Sequence, residues 1–312
     1  MRGLMRLLLA AMLWSAVGGG AAGAQTRPAV TTLGPNPPES FLYIGNSFFY
    51  FNNGITSMVT ALARGVEGGG PVHRATMATI GGSGFDWHDV ESYFRPNAVG
   101  SYNFDEKNNI VFNTADKKYD AAVLMDCSQC PIHPTLSPVF VKYAKLHTDT
   151  VKRHGAVPIL FMSWAYADHP EMTAPLAEAY TRAGNENGAL VIPAGLAWAR
   201  ALKDRPGLVL HIADNRHPTQ AGTYLAAATV YSAVTGRSAE MDSYTAGLDP
   251  ELARFLRAEA WAAVRAYYDG SVVNLGGREG TAPPADFSGC AASATPRRRP
   301  GCARRWGDRA RR

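Results

Sequence analysis

Phe41-Leu42-Tyr43-Ile44-Gly45-Asn46-Ser47-Phe48 is a short apolar run that stops at a glycine, followed by two polar residues and an aromatic one. A compact apolar run of this kind reads as a strand buried on both faces. Gly45 permits a sharp turn at its end. Ser47 then stands at the carboxyl end of the strand, where a helical stretch begins. That position exposes a hydroxyl and aims backbone N–H groups at any negative charge forming on it. It is equally the position where a serine caps a helix, so this stretch alone leaves the role of Ser47 open.

Working outward, four more runs share this character: 72–80, 121–125, 157–162 and 189–192, most of them bounded by Gly, Pro, Asp or Asn. Segments with helical spacing lie between and after them, at 55–64, 137–153, 174–187, 218–234 and 250–268. In the first, Ile55, Met58, Val59 and Leu62 share a face. Strands alternating with helices predict an α/β fold, a three-layer α/β/α sandwich around a parallel sheet of about five strands. The polar region 100–118 reads as an irregular excursion. Ligands of such sheets sit beyond the carboxyl ends of the strands, so the residues just after each run are the ones to inspect.

The ends differ from the middle. The chain has 312 residues and a formal net charge of +5. Arg2 and Arg6, a short apolar run and Ala22-Gly23-Ala24 read as a secretory signal peptide over 1–24. The run is too short to span a membrane comfortably. A secreted or periplasmic protein without stable membrane insertion is therefore expected. Residues 25–39 read as a linker, 40–280 as one domain, and 281–312 as a disordered Arg- and Pro-rich tail. The tail carries eight arginines against two aspartates, so the basic charge belongs to the ends. The domain between them is mildly acidic, which argues against nucleic-acid binding. Cys127 and Cys130 form a C-x-x-C, read as a local disulfide or two free thiols rather than a zinc site.

Asp214-Asn215-Arg216-His217-Pro218 places Asp and His three apart on a loop. The carboxylate can accept from the His217 Nδ1–H and leave Nε2 as a base. Pro218 suits the first position of the following helix. Ile80-Gly81-Gly82-Ser83-Gly84 follows a strand and can bring backbone N–H groups close to a ligand. G-x-S-x-G, H-E-x-x-H and a Walker loop are all missing from the sequence.

Together, Gly45-Asn46-Ser47-Phe48 and Asp214-x-x-His217-Pro218 resemble the SGNH/GDSL hydrolase superfamily. The nearer likeness is to a bacterial SGNH-like branch with I-G-N-S-F, V-P-x-G-x-A-W and H-P-x-x-x-G-x-Y-L-A-A blocks, here at 44–48, 192–198 and 217–227. The resemblance implies a flavodoxin-like sandwich and ester hydrolysis through an acyl-enzyme, without a cofactor or metal. It implies Ser47 as nucleophile, His217 as base and Asp214 as orienter, with Ser47 and Gly82 N–H groups as oxyanion donors. The superfamily's third block supplies an Asn to the oxyanion hole. This chain has Met125-Asp126-Cys127-Ser128-Gln129-Cys130 there. Gln129 or Ser128 is the expected substitute, since Asp126 cannot donate while ionised.

Asn46, Trp164 and His88 are candidate substrate contacts, with Trp164 and Trp198 as a possible aromatic wall. Asp86 and His88 are too few for a metal site. The expected substrate is a small-molecule or carbohydrate ester. A non-catalytic binding module, or an acyltransferase using the same three residues, would be compatible with this sequence too.

Overall fold

The computed structural model describes residues 26–65, 70–95, 102–112 and 119–271. The segment read as a signal peptide, the expected tail and Cys290 and Cys302 lie outside them. Strand β1 (Ser40–Gly45) leads through α1 (Ser47–Tyr50) and α2 (Ile55–Gly65) to β2 (Arg74–Thr79). Then come α3 (Val90–Phe94), β3 (Tyr102–Phe104), β4 (Ile110–Phe112), β5 (Ala121–Leu124) and α4 (Ser137–Arg153). The chain continues through β6 (Val157–Phe161), α5 (Thr173–Glu186), β7 (Leu190–Ile192), α6 (Ala194–Asp204), α7 (Gln220–Thr235) and α8 (Pro250–Tyr268).

Five strands form a parallel sheet in the order β2-β1-β5-β6-β7. Alternate residues serve opposite faces, as the strand period requires. Phe41, Tyr43, Val123 and Phe161 pack with residues of α2, α6, α7 and α8. Leu42, Ile44, Leu124 and Leu160 pack with α4 and α5. This is the expected three-layer α/β/α sandwich. Helix α7 is buried along almost its whole length, which suits an Ala-rich helix with no polar face.

Two local expectations are corrected. Region 100–118 is not irregular throughout: Tyr102–Phe104 and Ile110–Phe112 pair as an antiparallel hairpin. Asp105 accepts from the Lys107 and Asn109 N–H groups, and Asn108 takes a positive φ of 66°. That turn chemistry closes the hairpin. Pro218 does not begin α7. Thr219 caps it, accepting from Gly222 N–H at 3.2 Å, while Pro218 forms an isolated bridge with His211. The 26–39 stretch is fastened to the domain: Thr26 donates to Glu178, and Ala29 to Asn185. No described helix is long and apolar enough to cross a membrane.

The sheet order matters for the site. From β1 the chain crosses to β2 on one side, and β5 lies on the other. This is a topological switch point, where the strand ends splay and leave a crevice. Ser47 sits directly at it.

Candidate active site

The residues that end β1 build the site first. Asn46 is the N-cap of α1, its Oδ1 accepting from Phe48 N–H. Its Nδ2 donates to the carbonyls of Ser83 (3.0 Å) and Asp126 (3.1 Å). One buried amide thus ties together the ends of β1, β2 and β5. Ser47 follows in the first turn of α1, largely buried, with its Oγ 2.7 Å from His217 Nε2.

His217 arrives from the loop before α7. Its Nδ1 lies 2.5 Å from Asp214 Oδ2. Asp214 Oδ1 accepts from the Arg216 and His217 backbone N–H groups, both at 2.9 Å. With a carboxylate facing it, Nδ1 carries the proton, and Nε2 is left to accept from Ser47 O–H. Partial burial would raise the Asp214 carboxyl, but the His217 hydrogen bond and the two backbone donors outweigh it and hold the group at about 2. Asp214 is therefore ionised across the neutral range.

Neighbours fix the imidazole. The Phe51 ring stacks on it at 4.3 Å, and Phe48 meets it edge-on at 5.5 Å. Asn52, at a positive φ of 54°, donates to Pro218 O and Thr223 Oγ1. Trp164 Nε1 donates to Arg216 O at 2.9 Å. Asn52 was not singled out from the sequence; an asparagine in a short turn carries no signal for a contact so distant along the chain.

These side chains open on a cavity of about 200 Å³. Ser47, His217, Asn46, Gly82 and Ser128 all line it. Gly82 has a positive φ of 72°. Gly84 lines it too, buried where Gly82 is exposed. Neither glycine's N–H has a hydrogen-bond partner among the described residues. A Cβ on Gly84 would lie 2.9 Å from Asp86 Oδ1 and 3.1 Å from Asp126 Oδ1, so only glycine lets the backbone pass this close.

Three expected site residues lie elsewhere. Trp164 is fully buried, stacked between Phe48 (4.4 Å) and Trp198 (4.1 Å), and does not line the cavity. It braces the His217 loop from behind. The exposed Trp87 supplies the aromatic side of the cavity instead. His88 is buried away from the rim, between Ser83 Oγ (2.9 Å) and Tyr93 OH (3.1 Å). Burial lowers it to about 4, aided by His147, so it stays neutral and supports the glycine loop. Gln129 is buried and does not face the cavity, so it is not placed to donate to an oxyanion there. Asn46 lines the cavity, but its amide hydrogens are engaged by the two carbonyls.

Cys127 and Cys130 form a disulfide in the cavity wall. Asp126 and the two sulfurs bring three metal-type donor atoms within 4.8 Å of one another. With both sulfurs bonded to each other, a single carboxyl remains, which does not make a metal site.

No protein-family profile matches the chain, and no curated protein matches it either. Solved structures do. A DUF4886 family protein from Bacteroides uniformis is 21% identical, covers 72% of this chain and 94% of its own, and superposes with a TM-score of 0.50. An acetylxylan esterase from Geobacillus stearothermophilus is 16% identical over 63% of this chain and 94% of its own, with a TM-score of 0.46. A psychrotrophic esterase from Pseudoalteromonas is 10% identical over 64% and 97%, with a TM-score of 0.43. The chain shares its α/β/α sandwich fold with the DUF4886 family structure.

Proposed function

We propose that the protein is an exported serine hydrolase that cleaves an ester through an acyl-enzyme. One observation carries the reading: Ser47 Oγ, His217 and Asp214 stand in a hydrogen-bonded relay of 2.7 and 2.5 Å that opens on a cavity. A serine used only as a helix cap would turn its oxygen to a backbone N–H. Here Asn46 caps α1, and Ser47 is left to the imidazole.

The chemistry follows from the atoms. Ser47 Oγ attacks the ester carbonyl carbon while His217 Nε2 takes the hydroxyl proton. The carbonyl π electrons move to the oxygen, which lies against backbone N–H groups of Ser47 and the glycine loop. Asp214 stabilises the imidazolium. As the carbon–alkoxide bond breaks, the imidazolium returns its proton to the leaving oxygen. Water, deprotonated by His217, then attacks the acyl carbon; the bond to Ser47 Oγ breaks, the imidazolium returns its proton to Oγ, and the acid leaves.

The size of the cavity suits a small acyl group, and the exposed Trp87 at its side suits a sugar ring; an acylated carbohydrate is the substrate class we favour. Export is supported by the N-terminal signal-like segment and by the disulfide, which persists in oxidising compartments. A fluorophosphonate probe should label the mature protein at Ser47, and Ser47→Ala and His217→Ala should abolish labelling. Unlabelled wild-type protein, or full 4-nitrophenyl acetate hydrolysis by Ser47→Ala, would refute the proposal.

A further inference from the structure

The place after β5 where the superfamily resemblance calls for an asparagine holds Asp126, and this residue has an unusual setting. Its backbone carbonyl is pinned by Asn46, the residue before the nucleophile. The residue lines the same cavity as Ser47 and Gly84, and its Oδ1 lies 3.1 Å from where a Cβ on Gly84 would stand. Oδ1 accepts two backbone hydrogen bonds, from Phe85 and Cys127, both at 2.7 Å. Oδ2 accepts none among the described residues, although the residue is 2% exposed. One oxygen is thus held by two backbone donors, and the other has no hydrogen-bond partner among the described residues.

Resting on the esterase reading above, we infer that Asp126 acts as a neutral carboxylic acid and donates its Oδ2–H to the substrate oxyanion, taking the part of the missing asparagine side chain. Neutral carboxyls in apolar sites can donate in this way. An ionised Asp126 would instead repel the developing negative charge. The surroundings favour the proton. Burial pushes the carboxyl up to about 7, against the pull of the two backbone donors, and Asp86 adds to the rise.

The other titratable and charged groups around it are Tyr180 on α5, which stays neutral because burial raises it far above neutrality, and His88 and His147, which burial keeps neutral. Asp214, Arg216 and His217 border the cavity from the α7 side. The disulfide sulfurs do not titrate. Asp126 keeps its proton throughout the cycle; only His217 gives and takes one.

The inference predicts an alkaline limb. Activity should fall as Asp126 ionises above about 7. Asp126→Asn tests this cleanly: the amide Oδ1 can still accept from Phe85 and Cys127, which leaves Nδ2 as a donor that cannot ionise. The readouts are fluorophosphonate labelling rate and 4-nitrophenyl acetate hydrolysis from pH 5 to about pH 9.5. The limb should vanish in Asp126→Asn, with a rate at pH 9 on the order of 10- to 100-fold above wild type. Asp126→Ala, with no donor, should lose on the order of 100-fold at pH 6. Folding of each variant is checked by circular dichroism.

A limb that persists unmoved in Asp126→Asn overturns the inference while Ser47 labelling still supports the esterase reading. So does a folded Asp126→Ala with wild-type rate. A wild type that neither labels nor turns over at any pH overturns both.

Discussion

Replacing Trp164 by Phe separates two roles that the residue could have, and the structure assigns only one of them. The indole is fully buried between the Phe48 and Trp198 rings and donates Nε1–H to Arg216 O, one residue before the proposed base His217. Phe keeps an aromatic ring between the same neighbours but removes the donor. The lost hydrogen bond costs about 0.5–1.5 kcal/mol, and more if the carbonyl finds no water. The smaller ring forfeits stacking and burial worth roughly another 1 kcal/mol. Together that is about 1.5–2.5 kcal/mol, or a Tm lower by roughly 3–10 °C for a domain of this size. The freed Arg216 carbonyl also unties the loop at His217. A displacement of the base by a fraction of an ångström should lower kcat on the order of 10- to 100-fold. Because Trp164 does not line the cavity, KM should change little. Urea unfolding and 4-nitrophenyl ester kinetics measure both effects. A raised KM with unchanged kcat would refute the reasoning and restore Trp164 as a substrate wall. A stability loss with kcat intact would show that the loop holds without it.

The remaining predictions concern the same loop and the helix after it. Asp214→Asn should lower kcat on the order of 10³- to 10⁴-fold, because an amide no longer enforces the tautomer with the proton on Nδ1; near-normal kcat at pH 7 would contradict the relay. The Asp214 carboxyl is depressed to about 2, so its contribution to folding is complete above about pH 4 and is lost as pH falls through about 2. Asp214→Asn should therefore cost more stability at pH 6 than at pH 2, as read by urea midpoints at the two pH values. Gly222→Ala would place a Cβ 2.5 Å from Leu210 O and 2.7 Å from Trp198 Cη2. It should destabilise by about 1–3 kcal/mol despite a better helix propensity; a variant as stable as wild type in thermal unfolding would show that the helix can shift without cost.

How much was legible in the sequence depends on which interactions are local. Strands β1, β5, β6 and β7 announce themselves because they are buried almost throughout, so hydrophobic runs such as 41–44 and 121–125 need no partner to be recognised. Asp214 and His217 are equally legible, since three residues of loop suffice to join them. The hairpin around Asn108 was missed because five of its residues, among them Tyr102, Phe104 and Phe112, are exposed apolar side chains, with no inward face to set a period. The polar residues around the site failed for a different reason. Gln129, His88 and Trp164 have the right chemistry and stand near strand ends, but what decides their role is which way the chain turns after the strand. The 127–130 disulfide and the helical turn that follows put Gln129 inside and leave Asp126 on the cavity wall. Packing also recasts the blocks that carried the resemblance. Gly195 is glycine because a Cβ would lie 2.3 Å from Ser163 O, and Trp198 stacks on Trp164, which in turn holds the His217 loop. Those blocks read as signatures of chemistry, yet in this chain they act one layer behind it. The ionisation of Asp126 is the least legible feature of all. Nothing in Met-Asp-Cys-Ser distinguishes a surface carboxylate from one buried beside Asp86, and the choice between repelling and stabilising an oxyanion turns on that burial.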